Sequence, residues 1–238
     1  ADLEVPMAAV SLIHRKGYFH QRLDNEGTQR EESVDWPLDD FLLEHPERVS
    51  VEIEARKVEV RVWRYDVKGI TGFIVPVFLL DVDLEGNSPG DRQLTHYLYG
   101  GDSRYRLAQE TILGIGGIRM LERLGCKIER YHMNEGHASL LGLELLERAA
   151  NGATHSIGHR EIDLVRRQCV FTTHTPVPAG HDQFPMELVR SVVGARVLER
   201  TDLKDVFCCD GVLNLTYLAL NLSRYVNGVA KRHGEVSR

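Results

Sequence analysis

Two segments constrain this chain more than its composition does. They are Tyr131-His132-Met133-Asn134-Glu135-Gly136-His137-Ala138-Ser139 and Thr172-Thr173-His174-Thr175-Pro176-Val177-Pro178-Ala179-Gly180-His181-Asp182. Each follows a short apolar or β-prone run and precedes a helix-like run. Each therefore sets polar, proton-handling groups where a strand ends and a helix begins. In open α/β sheets that edge is where ligands bind. Two such junctions in one chain point to a sugar- or nucleotide-handling crevice rather than a structural module.

The pattern around the junctions agrees. Residues 103–124 read as a helix with Leu107, Ile112, Ile115, Ile118, Leu121 and Leu124 near one face, and Gly125 as its C-cap. Gly114, Gly116 and Gly117 stand inside it, each costing about 1 kcal/mol against Ala. A strand is expected at 126–132, a helix at 137–149 capped near Asn151-Gly152, and a helix at 160–167. A strand at 168–173 and helices at about 186–199 and 211–233 follow. This alternation predicts a parallel sheet with helices on its faces.

Upstream the reading is antiparallel β. Val51 to Tyr65 alternates through Val51, Ile53, Val58, Val60 and Val62 as one strand with a polar face. Asp66-Val67-Lys68-Gly69 turns the chain into a second strand, Phe73 to Leu80, where Pro76 favours an edge position or a bulge. Trp36-Pro37 and Phe41-Leu42-Leu43 form a short packing segment before them. The expected organisation is one domain, with a β-rich part over 1–95 and an α/β part over 96–238.

The chain has 238 residues, 42% hydrophobic and 27% charged, which is ordinary for a globular domain with a sizeable core. Its net charge of −6 argues against nucleic-acid and anionic-membrane partners. Arg166-Arg167 and Lys231-Arg232 are too short to count as basic tracts. The four cysteines, Cys126, Cys169, Cys208 and Cys209, have neither metal spacing nor a small-scaffold disulfide pattern. Cys126 and Cys169 adjoin apolar strands and are read as buried free thiols, and the adjacent Cys208-Cys209 pair, which could oxidise, is read as packing, a profile that fits a reducing cytoplasm. No apolar run reaches transmembrane length, and no signal-peptide pattern opens the chain. Ala1 without a Met, and a helix-like run interrupted at Arg238, lead us to expect an internal piece of a longer protein.

His132 to His137 invites a zinc reading, but the metalloprotease pattern needs histidines at i and i+4 on one helical face. Here they are wider apart, with Gly136 between them. The better chemical reading makes Asn134, Glu135 and His137 hydrogen-bonding groups facing a crevice. The bland one makes Asn134 or Ser139 a helix cap and His137 a core residue. His174 ends the second strand, and Pro176, Pro178 and Gly180 shape a rigid loop able to aim backbone carbonyls at a ligand. A Ser-His-Asp hydrolase would need Gly-x-Ser-x-Gly, which is absent. The Gly114-Ile115-Gly116-Gly117 run has the wrong spacing for a dinucleotide loop, so it is read as close helix packing. Asp102 is either an N-cap or a substrate-facing carboxylate. The six lysines stand in unremarkable contexts, without the surroundings of a Schiff-base lysine.

Leu98-Tyr99-Gly100-Gly101-Asp102, Arg106-Leu-Ala-Gln109-Glu110, Leu113-Gly-Ile-Gly-Gly-Ile-Arg119, the two junction motifs and Tyr225-Val-Asn-Gly-Val-Ala-Lys-Arg-His233 occur in that order. Together they resemble the N-terminal half of an α-glucan phosphorylase, of the short prokaryotic glycogen/maltodextrin type. The resemblance runs from Gly17-Tyr18-Phe19-His20-Gln21 to Arg238. It implies the Rossmann-like N-terminal domain of a GT-B glycosyltransferase, with a parallel sheet, helices on both faces and an added antiparallel β segment. It implies transfer of glucosyl units from an α-1,4-glucan to inorganic phosphate, giving glucose 1-phosphate, with pyridoxal phosphate as proton relay. It also implies catalytic roles for His174, through its main-chain carbonyl, and for Glu135 and His137, with Asp102, Arg106 and Asn134 binding substrate. The cofactor lysine and the cationic phosphate ligands of the family belong to a C-terminal domain beyond Arg238, so no cofactor-binding residue is expected here and the chain alone should be inactive. The competing readings are a nucleotide-sugar glycosyltransferase of the same fold class and a non-catalytic glucan-binding piece. Homo-oligomer formation stays open.

Overall fold

The computed structural model describes residues 1–17, 20–32, 34, 36–98, 100–150, 157–175, 181–194 and 211–230. The N-terminal part begins with β1 (Ala9–Leu12), a small antiparallel hairpin of β2 (His20–Leu23) and β3 (Gln29–Glu32), and the long strands β4 (Leu43–Ile53), β5 (Arg56–Lys68) and β6 (Ile74–Asp81). The valine alternation from Val51 to Tyr65 is thus not one strand but a hairpin. Ile53 pairs with Arg56 across Glu54 and Ala55, at φ 51° and 58°. Two residues of positive φ make the primed turn whose twist matches its flanking strands. Neither residue carries the Asn-Gly signature, so the turn is silent in the sequence. Val51 lies opposite Val58 and Val49 opposite Val60, which keeps the apolar face continuous across the turn.

The sheet order is β1-β6-β5-β4, antiparallel except for the parallel β1–β6 pair. Strand β6 is therefore interior, although Pro76 favours an edge. The conflict is resolved locally. Strand β1 reaches only from Val77 to Leu80 of β6, so Pro76, opposite Asp66 of β5, needs no second partner. Ile13, Leu38, Leu42 and Trp63 form a small satellite core, with Trp36 packed on it.

The helix expected over 103–124 is present, with one irregularity. Helix α1 (Ser103–Thr111) passes through a π-helical turn, Ile112–Gly116, into α2 (Gly117–Arg123), and Gly125 closes it at φ 74°. The glycines serve packing. A Cβ at Gly114 would stand 2.6 Å from the Leu141 backbone nitrogen and 2.8 Å from the Leu140 carbonyl carbon.

A three-stranded parallel sheet, in order β11-β8-β7, carries both junctions. Strand β7 (Tyr131–Asn134) starts later than expected, because residues 126–130 only lead into the sheet. The first junction continues through a short 3-10 turn (Gly136–Ala138) into α3 (Leu141–Ala149), so the helix begins after 137. Helix α4 (His159–Arg166) and β8 (Cys169–Thr173) follow, close to expectation. Then come β9 (Gln183–Pro185) and α5 (Met186–Val192). The helix expected over 211–233 is instead β10 (Val212–Asn214), α6 (Leu215–Asn221) and β11 (Tyr225–Gly228). Asn214 caps α6 by accepting from the Thr216 and Tyr217 amides at 3.0 and 3.1 Å. The β11 segment finds hydrogen bonds on β8 that a helix would have had to supply from within.

The protein is therefore mixed α/β, and one apolar core runs from the antiparallel sheet (Val51, Val58, Leu80) through α1–α2 to the parallel strands (Met133, Phe171). Among the described residues no helix is long and apolar enough to cross a membrane. Cys169 is a buried free thiol, pushed up to about 12 by burial, whereas Cys126 is only half-buried. Cys208 and Cys209 lie outside the described residues, as do Asn151, Gly152 and the Pro176–Gly180 loop.

Candidate active site

Parallel pairing of β7 with β8 sets Asn134 opposite Thr172, and the Glu135 amide extends the ladder to the Thr172 carbonyl at 3.0 Å. The two junctions thus meet at the carboxyl ends of adjacent strands. Glu135 sits at φ 72°, ψ 170°, a region that only glycine occupies without strain. From there its carboxylate Oε1 accepts from the His174 amide and, at 3.3 Å, from the Thr175 amide. His174 Nε2–H donates to Asn134 Oδ1, which selects the Nε2-protonated tautomer. His181 Nε2 bonds the Thr175 carbonyl at 3.1 Å, so Thr175 is held on both sides. One polar chain crosses all three strands, from His132 Nε2 to Thr172 Oγ1 at 2.7 Å and on to Asn227 Oδ1 at 3.1 Å.

A second cluster adjoins the first. Gly136 is buried against the start of α6, where a Cβ would meet the Thr216 nitrogen at 3.0 Å. The following residue, His137, is lowered below its ordinary pKa by burial and then by the Arg106 charge, with Asp182 and Glu135 partly opposing. The shift favours the neutral imidazole. Arg106, from α1, bonds Asp182 Oδ2 at 2.8 Å and Glu110 Oε1 at 3.3 Å through Nη2. His14, beyond β1, is also lowered by burial, with Arg106 and His137 adding to the shift.

The structure thus brings Asn134, Glu135 and His174 into direct contact, and sets Arg106 and His137 beside them. Asp102 opens the helix that carries Arg106. It is exposed and caps α1 by accepting from the Tyr105 amide at 3.0 Å. Glu110, Asp182 and His14 complete the constellation without having been singled out. Glu110 had left a trace in the sequence, as a carboxylate on the buried stripe of α1 one turn after Arg106.

Among the described residues no group of three or more His, Cys, Asp or Glu side chains is placed to hold a metal ion. Of the described lysines, Lys57, Lys68 and Lys127 are exposed and Lys16 is half-buried. Lys204 and Lys231 are outside the described residues.

Over its whole length the chain is 36% identical to the maltodextrin phosphorylase of Thermococcus litoralis, covering 29% of that protein. It is 36% identical to the glycogen phosphorylase of Mycobacterium tuberculosis, covering 30% of it. The chain is thus similar, along its full length, to glycogen and maltodextrin phosphorylases. The glycogen phosphorylase of Aquifex aeolicus, 32% identical, is likewise matched along the full chain and over 35% of its own length. The chain spans about a third of the length of the curated relatives it matches. No family model matches it. Both junction motifs lie within the matched stretch.

Proposed function

We propose that the protein carrying this chain is an α-glucan phosphorylase, and that the chain is the sugar-side part of a GT-B, Rossmann-like N-terminal domain. It takes an α-1,4-glucan and inorganic phosphate and releases glucose 1-phosphate. Pyridoxal phosphate is carried by residues outside this chain.

The observation that carries the reading is the hold of Glu135 on the 174–175 peptide. A trans peptide is planar, with its N–H and C=O antiparallel. A carboxylate gripping the Thr175 N–H therefore points the His174 carbonyl oxygen the opposite way and keeps it there. An anionic acceptor on the N–H also polarises the amide and increases the negative charge on that oxygen. A fixed, electron-rich carbonyl is suited to a glucosyl ring that gains positive charge as its glycosidic bond breaks. The Asn134 bond fixes the His174 ring. Neutral His137 and the Arg106–Asp182 pair then offer donors and acceptors to sugar hydroxyls.

The full gene product, supplied with maltodextrin and inorganic phosphate, is expected to release glucose 1-phosphate in a phosphate-dependent manner. Release of none, or glucosyl transfer from a sugar nucleotide without phosphate, would sink this reading.

A further inference from the structure

Glu110 lies on the apolar side of α1 and is only 3% exposed. An ionised carboxylate at such depth is costly unless fully paired. Its pairing is incomplete. Oε1 accepts a 3.3 Å bond from Arg106, whose shorter 2.8 Å bond goes to Asp182, and Oε2 accepts no hydrogen bond at all. One guanidinium between two carboxylates would also leave an uncompensated negative charge in the core. A proton on Glu110 removes both difficulties. The acid O–H then has an acceptor in Asp182, which lies within hydrogen-bonding reach, and the three side chains sum to zero charge.

We propose that Glu110 is a positioning residue that works as the neutral acid, donating to Asp182 and accepting from Arg106, so that the guanidinium is locked beside His137. What the lock positions, a glucan-facing arginine, rests on the function proposed above. The local electrostatics agree. Burial pushes the Glu110 carboxyl well above the usual carboxylate range, the Asp182 charge pushes it further, and Arg106 opposes only in part. Among the described residues, the other titratable groups coupled to Arg106 are His137 from the 3-10 turn and His14 beyond β1, both shifted toward the neutral form, and His137 in turn feels Glu135 and His174.

The test compares E110Q and E110A with wild type in the full gene product, by phosphorolysis and by thermal unfolding across pH 5 to 9. Gln keeps both hydrogen bonds of the neutral acid. E110A is expected to lose about tenfold or more in kcat/KM, and E110Q to restore most of that loss at neutral pH. Wild type should weaken on the alkaline side while E110Q does not. The unfolding arm follows from the sign of the shift. A carboxyl whose folded pKa is raised contributes stability that is complete below the unfolded value and lost as pH rises through the folded one. The melting temperature of E110Q should therefore gain on that of wild type as pH rises from about 5 to about 8. Activity in E110Q as poor as in E110A, or a melting difference that does not change with pH, would overturn the proposal. Absence of phosphorolysis in every form, wild type included, would refute the function instead. The unfolding arm would then still decide the state of Glu110.

Discussion

Glu135 holds a backbone conformation that costs roughly 1–3 kcal/mol for any residue but glycine, and its carboxylate is what makes that geometry useful. Two variants separate the parts. E135A and E135G both remove the hold on the His174 and Thr175 amides, so both should lower turnover of the full gene product by about 10²-fold. Only E135G relieves the strain, so it should be more stable than E135A by about 1–3 kcal/mol in urea unfolding. Equal stabilities would mean that the backbone at 135 is relaxed, and undiminished turnover in either would remove Glu135 from the site. At this scale the sequence was legible where chemistry sits in adjacent residues. Asn134, Glu135, His137 and His174 all stand out because they cluster at strand ends. Glu110 and Asp182 did not, because a buried acid acquires its role from a partner brought up by another element.

At the scale of elements, the α1–α2 helix shows how glycine sets distance. Gly114 faces backbone atoms at the start of α3, which cannot swing aside as a side chain could. G114A should therefore destabilise by about 1–3 kcal/mol, read as a lowered urea midpoint with an unchanged slope. Gly125 is a different case, since nothing crowds it and only its φ of 74° matters. G125A should cost nearer 1 kcal/mol. A G114A protein as stable as wild type would mean that α3 can retreat, and with it the 3-10 turn bearing His137. The helix, its glycines and its C-cap were all apparent from periodicity and spacing. The π turn was not, because the extra residue in that turn answers to packing against α3 rather than to local propensity.

Across the whole molecule, Asp81 ties the ends of the antiparallel sheet together. Fully buried, it accepts from Arg15, Arg61 and Trp63 at 2.6, 2.7 and 3.0 Å. Burial pushes its pKa up, but Arg15, the Asp83 amide and Trp63 outweigh that and hold it below the usual range. A depressed carboxyl contributes stability that is present above its unfolded pKa of about 3.9 and lost as pH falls further. D81N should therefore be less stable than wild type by about 3–5 kcal/mol at pH 7, and the gap should narrow in acid below about pH 4. A gap independent of pH would show that shape rather than charge is at stake there. The sequence by itself determined the α/β character, the two junctions and the helices flanking them, because periodicity, capping and glycine placement act within one segment. Only the tertiary structure decided the hairpin at Glu54-Ala55, the strand at Tyr225–Gly228 and the Arg106–Glu110–Asp182 triad. Each depends on what a distant segment offers: a sheet that rewards positive φ, an open edge on β8, and a second carboxylate on the same guanidinium.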